Sequence, residues 1–233
     1  MAAWLRDIDV WVFDLDNTIY DARSDIFPQI DKRMTNYIAQ MTGLPWTDAN
    51  LRRRHYWQHF GATLHGLHHI HGLSPQHFLA YAHDIDYSTI TPCPQTKQLI
   101  SLLPGQKWVF TNGPLEHAHT ILQKMDILSL FHDIVGIEHT QYKPKPHRMG
   151  FNYLLQQSGY PPHAHAMFED NIPNLNMAQK FGFRTFHIGE KPVTMNPPWD
   201  RCATTLCQHL EWILENLPQQ LDAGIASSHG FPS

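Results

Sequence analysis

Hydrophobic and polar positions alternate along the chain in short blocks that predict strands and helices. Five apolar blocks are rich in β-branched and aromatic residues, are bounded by turn-forming residues and are too short for helices, so we expect buried strands. These are residues 10–15, 107–111, 133–137, 166–169 and 184–188. Helical spacing of apolar residues lies between the later blocks, at residues 115–124, 149–158 and 175–181. This alternation predicts an α/β fold with a doubly wound, Rossmann-like parallel sheet.

A long insertion separates the first two strands. It spans about ninety residues, which is far more than one crossover connection needs. Within it, residues 26–41 carry apolar side chains three and four residues apart, which predicts an amphipathic helix. Pro92 and Pro94 disfavour continuation of a helix and return the chain to the sheet. We therefore expect residues 20–90 to form a helical cap, inserted into a catalytic core of residues 1–19 and 91–217.

The sequence changes character near its C-terminal end. Residues 204–217 show the spacing of a closing amphipathic helix, whereas residues 218–233 are rich in Gln, Gly, Ser and Pro. A segment of that composition buries too little apolar surface to become ordered, and we expect a disordered tail.

The composition is that of an ordinary globular protein, with 233 residues, 42% hydrophobic and 16% charged. A formal net charge of −4 offers no basic field to a nucleic-acid polymer or an anionic membrane, so we expect neither as a partner. No apolar stretch reaches the length of a membrane span, and charged residues interrupt the first ten positions, unlike a signal peptide. Cys93, Cys202 and Cys207 form no CxxC pair, which fits a reducing compartment, and we expect a cytoplasmic protein.

Polar residues that could take part in catalysis or ligand binding follow the predicted strands. Asp14 and Asp16 come directly after the first strand, and parallel strands bring such residues to the edge of the sheet where ligands bind. The ends of three later strands carry further candidates: Thr111, Asn112 and Gly113 after the second, Lys143 and Lys145 after the third, and Glu169 and Asp170 at the fourth. The hydroxyl, amide and glycine suit phosphate oxygens, and prolines stiffen the segment that holds the lysines.

The order of these groups resembles the haloacid dehalogenase superfamily, whose motifs are an Asp-x-Asp-x-Thr, a strand-end Ser or Thr, a Lys and an acidic pair. The resemblance covers residues 10–189. Within the superfamily the sequence is similar to the pyrimidine 5′-nucleotidase branch, on the segments Phe13 to Tyr20, Phe60 to Leu67 and Thr111 to Pro114.

The resemblance implies a role for each residue. Asp14 is expected to be the nucleophile that forms an aspartyl-phosphate, and Asp16 to be the general acid and base. Thr111 and Asn112 are expected to hold phosphate oxygens. Lys145 is expected to neutralise charge, with Lys143 left as an alternative. Mg²⁺ is the expected cofactor, bound by Asp14, Asp170 and the Asp16 carbonyl, with Glu169 assisting through water.

Some positions depart from the family pattern. Arg148 stands where a second Pro is common, and Glu169 stands where Asp is frequent. Asn174 replaces an acid found in many members, which bears on the metal shell.

The sheet motifs handle only phosphate and metal, so specificity is expected to come from the cap. The segment of residues 55–67 is the best candidate, with Thr63 and His59 as hydrogen-bonding residues. Tyr56, Trp57 and Phe60 could stack on a base, although aromatic residues at helical spacing usually pack a core. The run of arginines at 52–54 is expected to be a solvated face, and the histidines at 65, 68, 69 and 71 are not expected to bind metal.

These features predict a phosphoric monoester hydrolase. The expected substrate is a small phosphorylated metabolite, most specifically a pyrimidine nucleoside 5′-monophosphate such as UMP or CMP. Another monoester, such as a sugar phosphate or phosphoglycolate, is the alternative. A phosphomutase, which could use the same aspartyl-phosphate but would return the phosphoryl group to a bound intermediate, is a less favoured alternative. A dehalogenase is less favoured because Asp16 supplies a leaving-group acid that halide expulsion does not need, and a non-catalytic phosphate-binding regulator because it would have little reason to retain Asp14, Asp16, Lys145 and Asp170 together.

Overall fold

The computed structural model describes residues 2–190 and 199–217. Its centre is a parallel sheet formed by β1 (Val10–Phe13), β2 (Gln106–Phe110), β3 (Asp133–Val135), β4 (His165–Glu169), β5 (Arg184–Ile188) and β6 (Arg201–Ala203), in the order β3-β2-β1-β4-β5-β6. The α/β fold class with a doubly wound parallel sheet is therefore confirmed. The expected disordered tail at 218–233 lies outside the described residues.

β1 occupies an inner position, because Val10 pairs with Gln106 on one side and with His165 on the other. All four residues of β1 are buried, since helices cover both faces of the sheet. The chain builds outward from β1 to β2 and β3, and then crosses back to β4. Such a reversal of direction creates a crevice at the carboxyl ends of the strands.

Within the described residues, the helices that cover the sheet are α5 (Pro94–Leu102), α6 (Leu115–Lys124), α7 (Arg148–Ser158), α8 (Ile172–Phe181) and α9 (Leu206–Asn216). Two separate apolar clusters are built on residues of opposite parity in β1, with Trp11 and Phe13 in one and Val10 and Val12 in the other. Because successive strand side chains point to opposite faces, these clusters are the cores of the two faces.

The insertion between β1 and β2 contains four helices: α1 (Ile26–Thr42), α2 (Trp46–Phe60), α3 (Thr63–His71) and α4 (Pro75–Ala82). Most of a third apolar cluster comes from these helices, including Ile38, Tyr56 and Leu67, and Ile137 from the segment after β3 joins it. The amphipathic helix expected at 26–41 is α1, and it ends at Gly43, whose φ of 69° is a left-handed conformation that favours glycine.

Several elements differ from the sequence prediction in their bounds, and one strand was not predicted. β6 was not predicted, because it is three residues long, half-buried and at the edge of the sheet, so it carries no apolar block. The helix expected from residue 204 begins instead at Leu206, because the Thr205 hydroxyl accepts the Gln208 N–H and caps the first turn. Within the described residues, no helix has the length and apolar character to cross a membrane.

Candidate active site

Asp14 follows β1 directly and lies at the crevice. Its backbone N–H donates to the Phe168 carbonyl at 3.0 Å, which continues the pairing of β1 with β4 beyond the strand. Its side chain is buried. The extended backbone therefore holds the carboxylate in a fixed place at the carboxyl end of the sheet.

Lys145 is the cation that meets Asp14. Its Nζ donates to Asp14 Oδ1 at 2.7 Å, to Glu169 Oε2 at 2.8 Å and to the Phe110 carbonyl at 2.6 Å. The three hydrogens of the ammonium group thus have three acceptors, which compensates for its nearly complete burial. Of the two candidate lysines, the structure brings Lys145 to Asp14, whereas Lys143 is half-buried in the preceding turn.

Asn112 fixes the backbone of this lysine. Its Oδ1 accepts the Lys145 N–H at 2.6 Å, and its Nδ2 donates to the Lys145 carbonyl at 3.3 Å. Thr111 is buried, and its hydroxyl oxygen accepts the Gly113 N–H at 2.9 Å. Asn112 therefore positions the lysine as well as lining the cavity, a contact that the motif alone did not indicate.

The charges in this cluster are unbalanced. Burial raises the pKa of Asp14 to about 6, the Lys145 ammonium works against that shift, and Asp170 and Asp16 add to it. Burial and the Asp14 charge also raise the pKa of Glu169 well above its usual value. For Lys145, burial lowers the pKa, but the two carboxylates outweigh it and raise the pKa above its usual value. One ammonium does not neutralise these carboxylates, so the site favours further positive charge.

Asp14, Glu169 and Asp170 form a set of oxygen donors that fits a hard divalent cation. Each offers one carboxylate oxygen, and these atoms lie within 4.8 Å of one another. Mg²⁺ prefers oxygen ligands and keeps several waters, so a small carboxylate set suits it. Asn174 is buried, and it lines the same cavity with a neutral amide. No second trio of this kind occurs among the described residues 2–190 and 199–217.

Asp16 lies in a different environment from Asp14. Its Oδ1 accepts hydrogen bonds from the Tyr20 hydroxyl and from His117 Nε2, the latter at 2.9 Å. Burial raises the pKa of Asp16, but His117 and Tyr20 outweigh it and lower the pKa to about 2. The two carboxylates, two residues apart in sequence, therefore have pKa values displaced in opposite directions.

A cavity of about 510 Å³ lies between these carboxylates and the inserted helices. Asp14, Asp16 and Asp170 line its sheet side. Thr63 lies on the side of the inserted helices, as do Trp57 and Arg54. Of the three aromatic candidates, Trp57 is 56% exposed and faces the cavity, whereas Tyr56 is buried in the apolar cluster of the inserted helices and Phe60 packs against that cluster.

The prediction that His59 contacts the substrate needs correction. Its ring is exposed, stacks on His55 at 3.9 Å between ring centroids, and is not among the described residues that line the cavity. The helical period explains this, because α2 turns Arg54, Trp57 and Gln58 toward the cavity and points the next position elsewhere.

The arginine run also differs from expectation in part. Arg52 is exposed, as expected of a solvated face, but Arg53 and Arg54 line the cavity. Arg53 is paired with Asp31 at 2.7 Å.

Comparison with known proteins agrees with this geometry. The family model of haloacid dehalogenase-like hydrolases matches residues 8–182. The chain belongs to this family. A curated relative, phosphate metabolism protein 8 of Saccharomyces cerevisiae, is 26% identical over 191 residues, which is 74% of this chain and 59% of the relative. The chain thus spans about three fifths of that relative's length.

Solved structures share the fold. YfnB of Bacillus subtilis, solved bound to magnesium, has a TM-score of 0.59 and 18% identity, and the match covers 89% of this chain and 98% of that one. A HAD phosphatase from Thermococcus onnurineus has a TM-score of 0.58 and 19% identity, with coverage of 89% and 98%. An L-2-haloacid dehalogenase from Xanthobacter autotrophicus has a TM-score of 0.57 and 15% identity, with coverage of 91% and 100%.

Membership of the haloacid dehalogenase-like hydrolases confirms the superfamily resemblance. Tyr20 and His117, whose side chains contact Asp16, were not predicted from the sequence as site residues. His117 carried one usable signal, because it lies in the first turn of α6, directly after the loop of Thr111 to Gly113, where a side chain can turn back toward the crevice.

Proposed function

We propose that this hydrolase is a Mg²⁺-dependent phosphomonoesterase that attacks its substrate with Asp14. One observation carries the proposal: a buried Asp14 bonded to Lys145 lies in the same cavity as a second carboxylate, Asp16, with a different hydrogen-bond environment. A nucleophile and a separate acid–base group are the two functions that phosphoryl transfer through a covalent intermediate requires. The yeast relative named for phosphate metabolism and the archaeal HAD phosphatase agree with it.

Asp14 and Asp16 have separate roles in the proposed reaction. Asp14 Oδ attacks phosphorus, the ester oxygen leaves, and an aspartyl-phosphate forms. Asp16 gives a proton to the leaving oxygen and takes one from the water that hydrolyses the intermediate. In the free protein Asp16 is ionised at neutral pH, since its pKa is about 2. A bound phosphate dianion would add like charge beside it and raise that pKa toward the donating range.

Lys145 offsets the repulsion between an anionic nucleophile and an anionic phosphate. Asn112 holds the lysine backbone, so this charge does not have to be reorganised during the reaction. Mg²⁺, held by Asp14 and Asp170 with Glu169 beside them, would supply the remaining positive charge. Thr111 and Asn112 are proposed to bind phosphate oxygens.

Dehalogenases share the fold, but a halide leaves without a proton. A carboxylate held by two donors at the position of Asp16 has no role in that step, whereas an alkoxide leaving group needs protonation. The chemistry of the site therefore favours an ester substrate over an organohalide.

For the substrate we propose a pyrimidine nucleoside 5′-monophosphate. Trp57 presents an exposed ring to the cavity, and base–aromatic stacking contributes roughly 1–3 kcal/mol per base. Thr63 and Arg54 line the same side and offer hydrogen-bond donors to the polar edge of a base. Residues 20–90 are proposed to act as the cap that reads the substrate, in a protein that works in the cytoplasm.

A phosphate-release screen tests this function. Purified protein is assayed with pyrimidine and purine nucleoside monophosphates, sugar phosphates and phosphoglycolate, with Mg²⁺ and with excess chelator. We expect release from UMP and CMP that stops with the chelator. Release from none of the esters would refute the phosphatase, and equal turnover of purine and pyrimidine nucleotides would reduce the proposal to a general phosphomonoesterase.

A pair of tryptophan variants tests the cap. Trp57→Ala should raise KM for UMP by about tenfold and leave KM for a small alkyl phosphate unchanged, because only the nucleotide has a ring to stack. Trp46→Ala is the matched control, since Trp46 is 48% exposed in the same helix and is not among the described residues lining this cavity.

A further inference from the structure

The Asp16 carboxylate is held by a chain of buried polar groups. Both donors, Tyr20 and His117, bond to Oδ1. Oδ2 lies on the side of the loop of Thr111 to Gly113, where a Cβ placed on Gly113 would be 3.8 Å from it. The arrangement therefore presents one particular oxygen of Asp16 to the cavity.

The other face of His117 is also fixed. Its Nδ1 lies 2.9 Å from the Tyr87 hydroxyl, which donates to the His83 carbonyl at 3.0 Å. The His83 ring packs edge-on against the His117 ring, with 4.8 Å between centroids. His117 is only 1% exposed. Both ring nitrogens and one ring face are thus engaged, so the imidazole has a single orientation.

These groups come from both connections between the sheet and the cap helices. Tyr20 lies between β1 and α1, while His83 and Tyr87 lie between α4 and α5. His117 lies in α6, on the sheet side. The segment before α1 therefore contacts Asp16 directly through Tyr20, and the segment after α4 contacts it indirectly through His117.

We propose that His117 is a positioning residue that holds the Asp16 carboxylate in its proton-transfer orientation and couples that orientation, through Tyr87, to residues 83–93, which connect α4 to α5. This inference rests on the proposed phosphatase function. Without the Nε2 donor the Asp16 carboxylate can rotate about its side-chain bonds, and a misplacement of about 1 Å lowers a reaction rate by roughly 10²-fold.

The test compares leaving groups. His117→Leu fills a similar volume and removes both hydrogen bonds. We compare kcat/KM, which reports formation of the aspartyl-phosphate and not its hydrolysis. We expect kcat/KM for an alkyl phosphate to fall by about 10²-fold, and kcat/KM for p-nitrophenyl phosphate to fall by less than about tenfold because its leaving group needs little protonation. His117→Gln, whose amide can still donate to Asp16, should recover most of the alkyl phosphate activity. Tyr87→Phe should give a smaller loss with the same selectivity.

His165→Leu is the matched control. His165 is fully buried and hydrogen-bonded to Ser158 and Pro161, at the opposite end of the sheet. It should lower stability without distinguishing the two leaving groups. Equal losses for both substrates in His117→Leu, or no recovery in His117→Gln, would overturn the positioning role while leaving the phosphatase standing. Failure of the unmodified protein to hydrolyse either ester would overturn the proposed function and this role together.

Discussion

Asp14 is a buried carboxylate whose charge depends on a few neighbours. Burial raises its pKa to about 6, and the hydrogen-bonded Lys145 opposes that shift. Lys145 in turn is shared with Glu169. A single lysine therefore connects the proposed nucleophile with a carboxylate of the proposed metal site, so that neither carboxylate can be changed without affecting the other.

Asp14→Asn should abolish turnover and leave the fold intact, because an amide cannot act as the nucleophile. Lys145 would retain its bonds to Glu169 and the Phe110 carbonyl, so the ammonium stays paired. Phosphate release by the purified variant measures turnover, and circular dichroism checks that the fold is intact. Substantial residual kcat would contradict the assignment of the nucleophile.

Asp16→Asn should behave differently, because binding of phosphate and Mg²⁺ depends on other side chains. We expect kcat to fall by roughly 10²–10⁴-fold, the usual contribution of a positioned acid–base group. The first chemical step with an aryl phosphate should lose less. Steady-state and single-turnover kinetics check this, and unchanged kcat would mean that another group moves the proton.

Residues in linear motifs could be predicted from the sequence, whereas residues that act through tertiary contacts could not. Asp14, Asp16 and Lys145 each follow a recognisable strand, so the topology alone brings them near one edge of the sheet. His117 is separated from Asp16 by 101 positions, and only the packing of α6 brings them together. His59 shows the reverse problem, because choosing the segment 55–67 says nothing about which helical face meets the cavity.

At the scale of elements, apolar blocks located the inner strands because burial on both faces requires continuous hydrophobic runs. α1 and α6 were located by helical spacing. β6 was missed because an edge strand of three half-buried residues needs no such run. The division of the chain into a core and a cap at residues 20–90 remains a prediction, although α1 to α4 supply most of a separate apolar cluster.

The packing of α3 on α2 depends on a glycine. A Cβ at Gly66 would lie 2.5 Å from Cβ and Cγ of Tyr56, which is too close for the helices to keep their approach. Helix propensity alone predicts that Gly66→Ala stabilises the protein by about 1 kcal/mol. The contact predicts destabilisation by about 1–3 kcal/mol. The sign of the change in unfolding free energy, measured by urea denaturation, decides between the two expectations. A more stable variant would show that the helices adjust freely.

At the scale of the whole molecule, a buried histidine should make stability depend on pH. His209 in α9 has its Nε2 2.8 Å from the His187 carbonyl, to which it donates, and its buried Nδ1 has no hydrogen-bond partner within the described part of the chain. Burial, the largest cause, lowers its pKa to about 4. Between pH 6.5 and 4 the unfolded chain therefore binds more protons than the folded one, and stability falls as pH falls.

His209→Gln should reduce that acid sensitivity, because the amide can keep the bond to the His187 carbonyl and does not titrate. The contribution of His209 to the loss of stability by pH 4 is about 3 kcal/mol. The check is the difference in unfolding free energy between pH 7 and pH 4.5 for both proteins. Equal losses in the two would show that His209 does not titrate in this way.

The position of β1 in the sheet has a consequence for biosynthesis. This strand leaves the ribosome well before its partners, because β2 begins at residue 106 and β4 begins at residue 165. At about 5–20 residues per second, the second partner arrives roughly 8–30 s after β1. During that interval Val10–Phe13, an entirely apolar strand, has at least one unpaired edge that can recruit other chains. Nascent chains stopped before β4 should therefore depend on chaperones to stay in solution, whereas chains that extend through β4 should not.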